Sequence, residues 1–299
     1  MTLQRAREKS RHALAWWGFF FAALGSTSAC DDGKALISPP APASDCATAL
    51  EDPARWRPIF NGIDLSGWYS WNPTTGRDDA QRIFQVHDGV IHVLDIAEHK
   101  GEQDFAYLST LEEFENVRIR FEFKWGTKMF NPFADHHWPK DSGFFYGVVG
   151  VDQIWPTAVE YNVFVDRVGG TVALGNAGLT TKVGREFDGA LPIYSNGGAS
   201  FSTPRTTDFT KTGVVSKTAG FEIAGDWNDA EIVYLGDNTL HRLNGHVVFT
   251  ASSLRQRVRE DSPQSDLPLT RGRLAIQEEG AEIMYRNIRV QPIDAACPL

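Results

Sequence analysis

A chain of 299 residues, 42% hydrophobic and 12% aromatic, carries enough apolar side chains for one large core, which argues against bulk disorder. Its 29 basic residues stand against 38 acidic ones, net -9, with no basic patch along the chain, so nucleic acid is not an expected partner. Nine Trp, 19 Phe and 27 Gly lean toward an all-β, sugar-facing protein.

Residues 1–29 read as an export signal. Arg5, Arg7, Lys9 and Arg11 form a basic start, Ala13–Gly25 a short apolar run, and Thr27-Ser28-Ala29 the small residues before a cut. The run is short for a transmembrane helix. Cleavage would remove four basic residues and one acidic, moving the net charge from -9 to -12, and leave Cys30 first. Cys30 then resembles the lipidated cysteine of a bacterial lipoprotein. Thr27 stands where an aliphatic residue is usual, so plain secretion stays open. Either route leads to the periplasm or cell envelope, with a lipid anchor as the one expected membrane contact. In that oxidising compartment Cys46 and Cys297 are expected to form a disulfide that staples the two ends of the domain. Residues 30–50, rich in Pro, Ala and Ser, are the expected tether, and residues 51–296 one domain.

Alternation of period two dominates that domain. "IFQVHDGVIHVLD" gives two short strands around Asp88-Gly89, a primed-turn hairpin signal. Glu102–Glu113 holds one helical turn at most. In Val117–Trp125, Val117, Ile119, Phe121, Phe123 and Trp125 face one way and Arg118, Arg120, Glu122 and Lys124 the other, a half-buried antiparallel strand. Gly184–Thr218 reads as a long loop of Gly, Ser and Thr. "LHRLNGHVVF" repeats the hairpin device with Asn244-Gly245, and "GRLAIQEEGAEIMYRNIRV" is a third hairpin turning near Glu279-Gly280. Many short strands with turn signals predict an all-β sandwich or jelly roll of two antiparallel sheets.

The stretch "IFNGIDLSGW" makes this more specific. It resembles the opening of the 3-keto-disaccharide hydrolase family, formerly a domain of unknown function, whose members begin Phe-Asn-Gly-x-Asp-Leu-x-Gly-Trp. "FQVHDGVIHV", "AYLSTLEEFENVRIRFEFKW", "DSGFFYGV", "IWPTAVEYNVF", "DWNDAEIVYLGDNTLHRLNGHVV" and "GRLAIQEEGAEIMYRNIRV" follow in the family's order, over roughly residues 58–293. Asp141 stands where the family has Asn, Asn162 where it has Gln, and Gly170 where a similar branch often carries Asp. The resemblance implies a concanavalin-like jelly roll and action on glycosides already oxidised at C3. In "FNGIDLSGWYSW", Asn61-Gly62 and Ser66-Gly67 are expected to set turns, while Phe60, Leu65 and Trp68 anchor the core.

Glu160 is the first candidate for chemistry. In "AVEYNVFV", Val159, Tyr161, Val163 and Val165 should face the core, leaving Glu160 and Asn162 on the opposite face, the floor of a groove. In "LAIQEEG", Leu274, Ile276 and Glu278 point one way and Ala275, Gln277 and Glu279 the other. Glu279 is therefore the second carboxylate of an acid–base pair, with Asn162 and Gln277 as substrate contacts. The plain alternatives are a solvated strand carboxylate and hairpin-end polarity. His136, His137 and Asp141, with Asp135, form a cluster suited to a divalent metal ion, the one cofactor the sequence admits, though no helix-spaced or CxxC-type ligand signature accompanies it. His241 is expected to act near the site or to pack at a strand end. Arg286 should bind substrate or pair with a carboxylate. Trp155 and Trp138 offer flat faces to a sugar ring, Trp155 first because it precedes the Glu160 strand.

No dinucleotide, P-loop or serine-hydrolase fingerprint is present, so a sugar 3-dehydrogenase would have to supply the ketone. The expected reaction is hydrolysis of a 3-keto-glycoside by C2 proton abstraction, with Glu160 as base, followed by elimination and hydration. Two other readings stay open: a non-catalytic, lectin-like carbohydrate-binding module, and an ordinary glycosidase using two carboxylates on an unoxidised sugar.

Overall fold

The computed structural model describes residues 52–95, 104–130, 134, 137–188, 191–203, 213–257 and 266–296. The export signal, the tether, Cys30, the Cys46–Cys297 pairing, Asp135 and His136 lie outside the described residues. No described helix is long and apolar enough to cross a membrane.

After a 3-10 turn at Pro53–Arg55, the described residues form nineteen strands. In chain order the first seven are β1 Arg57–Pro58, β2 Trp68–Trp71, β3 Phe84–His87, β4 Val90–Val93, β5 Ala106–Phe114, β6 Val117–Met129 and β7 Gly143–Val149. Next come β8 Thr157–Asn162, β9 Thr171–Leu174, β10 Ala177–Asp188, β11 Leu191–Tyr194, β12 Ala199–Ser202 and β13 Gly213–Val215. The last six are β14 Asn228–Leu235, β15 Asn238–Leu243, β16 His246–Arg257, β17 Asp266–Pro268, β18 Gly272–Glu278 and β19 Ala281–Pro292. Twelve strands build one sheet, in the order β11-β10-β16-β15-β14-β6-β19-β4-β3 with β1, β12 and β17 alongside β19, β10 and β16. Seven build the other, in the order β13-β9-β8-β7-β18-β5-β2. This is the all-β sandwich of antiparallel sheets that the alternation implies.

The main core lies between the sheets. Ile119, Phe121 and Phe123 of β6 are fully buried there, and Phe121 stacks on Phe144 of β7 at 4.3 Å between ring centroids. The seven-stranded sheet also carries a second apolar cluster on its other face, with Tyr107, Phe145, Trp155, Ala158, Val172, Leu174 and Ala275. That sheet is therefore buried on both sides. This explains a misread segment: residues 106–113, expected to hold at most a helical turn, are strand β5, and both faces of Ala106–Thr110 are buried, so polarity does not alternate.

The Asp88-Gly89 and Asn244-Gly245 hairpins form as expected, each with positive φ at both turn residues. The third does not. β18 lies in the seven-stranded sheet and β19 in the twelve-stranded one, so Glu279-Gly280 is a corner between sheets. Only Gly280 has positive φ, and a primed two-residue hairpin of the Asn-Gly kind needs it at both positions. The opening motif is the matching corner at the other end of the chain. β1 pairs with β19, and β2 joins β5 in the opposite sheet. Between them Asn61 Oδ1 accepts from the backbone N–H of Ile63 and Asp64, Asp64 Oδ1 accepts from Ser66 N, and Trp68 Nε1 donates to Ile59 O at 2.8 Å.

Where 184–218 is described, the expected loop is mostly short strands. β10 continues to Asp188, and β11, β12 and β13 follow. Their pairing runs through polar side chains and backbone: Thr180 Oγ1 meets Ser202 Oγ at 2.9 Å, and Thr181 Oγ1 donates to Thr250 O. β12 alternates Ala199 and Phe201 with Ser200 and Ser202, but it is four residues long, and β11 and β13 are as short or shorter, too short for a period of two to stand out from a loop.

Candidate active site

A cavity of about 280 Å³ opens on the outer face of the seven-stranded sheet, away from the main core. Register places its floor. Phe145 of β7 pairs with Glu160 of β8, Glu160 with Val172 of β9, and Val172 with Val214 of β13. One step toward the end of β8, Asn162 pairs with Gly143, and Gln277 follows Ile276, which pairs with Phe144. Val159 and Tyr161 face the main core, so Ala158, Glu160 and Asn162 face the cavity, as the alternation implies.

Glu160 is 2% exposed, and no cation pairs with it among the described residues. Burial first, then the charges of Asp141 and Glu279, push its carboxyl well above the usual range. It fits only because residue 143 is glycine. A Cβ there would stand 2.2 Å from Glu160 Oε1, so the carboxylate lies over Gly143 and leans toward the Asn162 end. Ser142 fixes this stretch by donating to Gln277 O at 2.8 Å, and its hydroxyl also meets Tyr285 OH at 2.9 Å.

Asp141 and Glu279 complete the acidic group. Burial and the Glu279 charge raise Asp141 strongly, while burial brings Glu279 to about 7. Gln277 Nε2 donates to Glu279 Oε2 at 2.7 Å. Three further acceptors, Asp141 Oδ1, Asn162 Oδ1 and Gln277 Oε1, are buried without a hydrogen-bond partner among the described residues. A buried acceptor left so is costly unless a ligand donates to it. All three line the cavity with Glu160 and Glu279.

Trp155, 5% exposed, forms part of the wall and packs on Phe105 and Phe145; the peptide before it is cis. Trp138, half exposed, lines the cavity as well. Of the expected metal cluster, Asp141 reaches the cavity, while His137 is exposed and does not line it. Among the described residues no group of three or more His, Cys, Asp or Glu is placed to hold a metal ion.

Two expected site residues are elsewhere. His241 is fully buried between the sheets, with Nε2 3.0 Å from Tyr146 OH and Nδ1 3.1 Å from Gly169 O, and burial lowers its pKa to about 4. It is a neutral core histidine beneath the Gly169–Gly170 turn and does not line the cavity. Arg286 belongs to the twelve-stranded sheet, where it donates to Glu122 at 2.7 Å and lies over the Trp227 ring, so it pairs with a carboxylate and does not reach the cavity. Sequence reasoning missed Gly143, Arg167, Leu191 and Val214. The "DSG" block held the signal for Gly143. Leu191 and Val214 fell in the segment read as loop.

The 3-keto-alpha-glucoside-1,2-lyase-like domain profile matches residues 55–291. No curated protein sequence matches the chain. Similar solved structures include a provisionally assigned glycosyl hydrolase from Parabacteroides distasonis ATCC 8503, at 23% identity over 81% of this chain and 95% of that one, TM-score 0.45. A second from the same organism has 15% identity over 80% and 99%, TM-score 0.44. The carbohydrate-binding module CBM66 from Bacillus subtilis has 10% identity over 75% and 95%, TM-score 0.41. The profile covers nearly all the described residues, and this chain belongs to the 3-keto-alpha-glucoside-1,2-lyase-like domain family.

Proposed function

We propose that the chain cleaves 3-keto-glycosides by elimination and rehydration. The observation that carries this reading is the cavity's acidic group, Glu160, Asp141 and Glu279, with no ion pair to any of them among the described residues, and the unpartnered acceptors on Asp141, Asn162 and Gln277. Sugar hydroxyls are donors suited to those acceptors. A ketone at C3 acidifies the C2 proton, so the reaction needs a base near neutrality, a donor for the developing enolate oxygen and an acid for the leaving group.

Glu279, with a pKa of about 7, takes the C2 proton. Glu160 is held protonated by burial, which turns the base expected from sequence into the acid. Asp141, also held neutral, has an O–H to give to the C3 oxygen, the service an Asn at that position would perform through Nδ2. The C2–H electrons form a C1–C2 double bond conjugated to the ketone. The C1–O bond breaks, and the departing oxygen takes its proton from Glu160. Water then adds across the double bond, its oxygen to C1 and a proton to C2, to give the free 3-keto sugar. On this reading the ketone comes from a separate sugar dehydrogenase, and the basic start and apolar run of residues 1–29 support a reaction in the periplasm or cell envelope.

Incubating the purified mature chain with a 3-keto-glucoside and its unoxidised parent should release aglycone from the keto form alone. Equal cleavage of the parent would overturn this in favour of an ordinary glycosidase. Tight binding with no cleavage would favour a carbohydrate-binding module. A chelator arm reads whether a divalent ion held through Asp141 takes part.

A further inference from the structure

The cavity floor has two chemically different ends. At one end stand Asn162, Gly143 and Gln277, with Asp141 and Glu279 beside them. The other polar lining residues belong to this end too: a Cβ on Gly170 would stand 3.6 Å from both Ser216 Cα and Arg167 O, and Asn162 N donates to Gly170 O. At the other end the register gives Val172 and Val214 in one row and Leu174, paired with Ala158, in the next. Leu191 and Trp155 also line this cavity. Glu160 starts from the apolar row, but its carboxylate lies over Gly143, toward the polar end. The surface formed by Val172, Val214 and Leu174 therefore carries no polar side-chain atom.

We infer that the polar end takes the oxidised sugar and that the apolar end, Val172, Leu174, Val214, Leu191 and Trp155, takes an apolar aglycone, aryl or alkyl, in preference to a second sugar. This rests on the function proposed above. A second sugar carries hydroxyls around its whole ring. Those turned toward Val172, Val214 and Leu174 would lose water and find no partner, whereas an apolar group gains by leaving water there. The placement also suits the chemistry, because Glu160 stands at the boundary between the two ends, where the bond to be broken would lie.

The test compares two 3-keto-glucosides of matched anomeric configuration and similar leaving-group acidity, a benzyl glucoside and a disaccharide. The expected kcat/KM for the benzyl compound is at least tenfold higher. Val214→Thr and Val172→Thr keep the side-chain shape and add a hydroxyl. Each should cut the benzyl preference, read as the ratio of kcat/KM values for the two substrates, at least threefold. Equal or better turnover of the disaccharide by the wild-type chain, or an unchanged preference in both variants, overturns the inference. If no keto substrate is turned over, the proposed reaction fails by itself, and calorimetry then decides the apolar end separately: benzyl glucoside should bind at least tenfold more tightly than methyl glucoside, and equal binding rejects it.

Discussion

Glu160 and Glu231 are both strand glutamates, both buried, on opposite sheets of one sandwich. Glu231 is 1% exposed and receives Arg118 at 2.9 Å, Arg120 at 2.5 Å and Arg242 as well. Burial alone would raise its pKa, but the hydrogen bonds and charges of Arg118 and Arg120 outweigh burial and hold it below the usual value. Glu160, 2% exposed, has two carboxyls near it and no cation paired with it among the described residues, and its pKa goes up. Burial is thus common to the structural carboxylate and the one proposed to react. What separates them is whether the fold supplies a guanidinium, and a carboxyl left without one holds a proton it can give away.

The most severe way to test this contrast is Glu160→Gln. The amide copies the protonated carboxyl in shape, so the fold should survive while turnover of a 3-keto-glucoside drops by roughly 10²–10⁴-fold. Activity within threefold of wild type would remove Glu160 from the chemistry. Glu231→Gln should do the opposite. It leaves Arg118, Arg120 and Arg242 without their shared partner and should cost about 3–5 kcal/mol in urea unfolding, with kcat unchanged in the folded fraction.

Gly143→Ala asks whether the lean of Glu160 matters. The added Cβ would collide with Oε1, so the carboxylate must move toward Val172. A displacement near 1 Å should cost on the order of 10²-fold in kcat. Wild-type kcat in this variant would mean that Glu160 need not lie where it does.

The two regions should also govern opposite limbs of the pH–stability curve. Glu279 rises from 4.5 to about 7 on folding, so its contribution is fully present below about 4.5 and is lost as pH climbs through 7; Glu160 and Asp141 are raised too, so their contributions carry the same sign. Glu231 is lowered, so its contribution is present above 4.5 and lost on acidification below it. Thermal unfolding of Glu279→Gln should lack most of the decline between pH 5 and 8, by several degrees, with the acid limb untouched. An unchanged alkaline limb would mean that Glu279 titrates alike in the folded and unfolded chain.

The readable and unreadable parts of this molecule follow the same physics. Strand β6 was legible because one of its faces meets the core and the other carries Arg118, Arg120, Glu122 and Lys124, so polarity alternates. Strand β5 was not, because the seven-stranded sheet is buried on both faces. Glu160, Asn162, Gln277 and Glu279 were legible as one surface because the period of a strand is two and their apolar neighbours mark the core side. His241 misled because a lone histidine beside a family-like hairpin shows nothing of the two hydrogen bonds that hold it neutral between the sheets. For Arg286 the alternative of a carboxylate partner holds, but the sequence could not name that partner, because Glu122 comes from a strand 164 positions earlier in the chain. Glu279-Gly280 was read as a hairpin because sequence shows turn residues, and the sheet each flanking strand joins depends on contacts far away.

The smallest predicted effect discriminates most finely. Asp141 occupies a place where the resembled family has Asn, which on sequence alone looks like a new negative charge in the site. Burial and Glu279 keep it neutral, so one oxygen donates and the other accepts, as the NH2 and carbonyl ends of an Asn side chain do. Asp141→Asn should therefore change kcat/KM on a 3-keto-glucoside by no more than about threefold at pH 7, well under one pKa unit's worth of free energy. It should also raise stability at pH 8, where the wild-type carboxyl group comes under pressure to ionise. A loss of 10²-fold or more would mean that Asp141 works ionised, as a base or as a ligand to a cation. The cavity would then belong with Glu231, among carboxylates that need a positive partner, and the contrast between the two faces would fail at its most sensitive point.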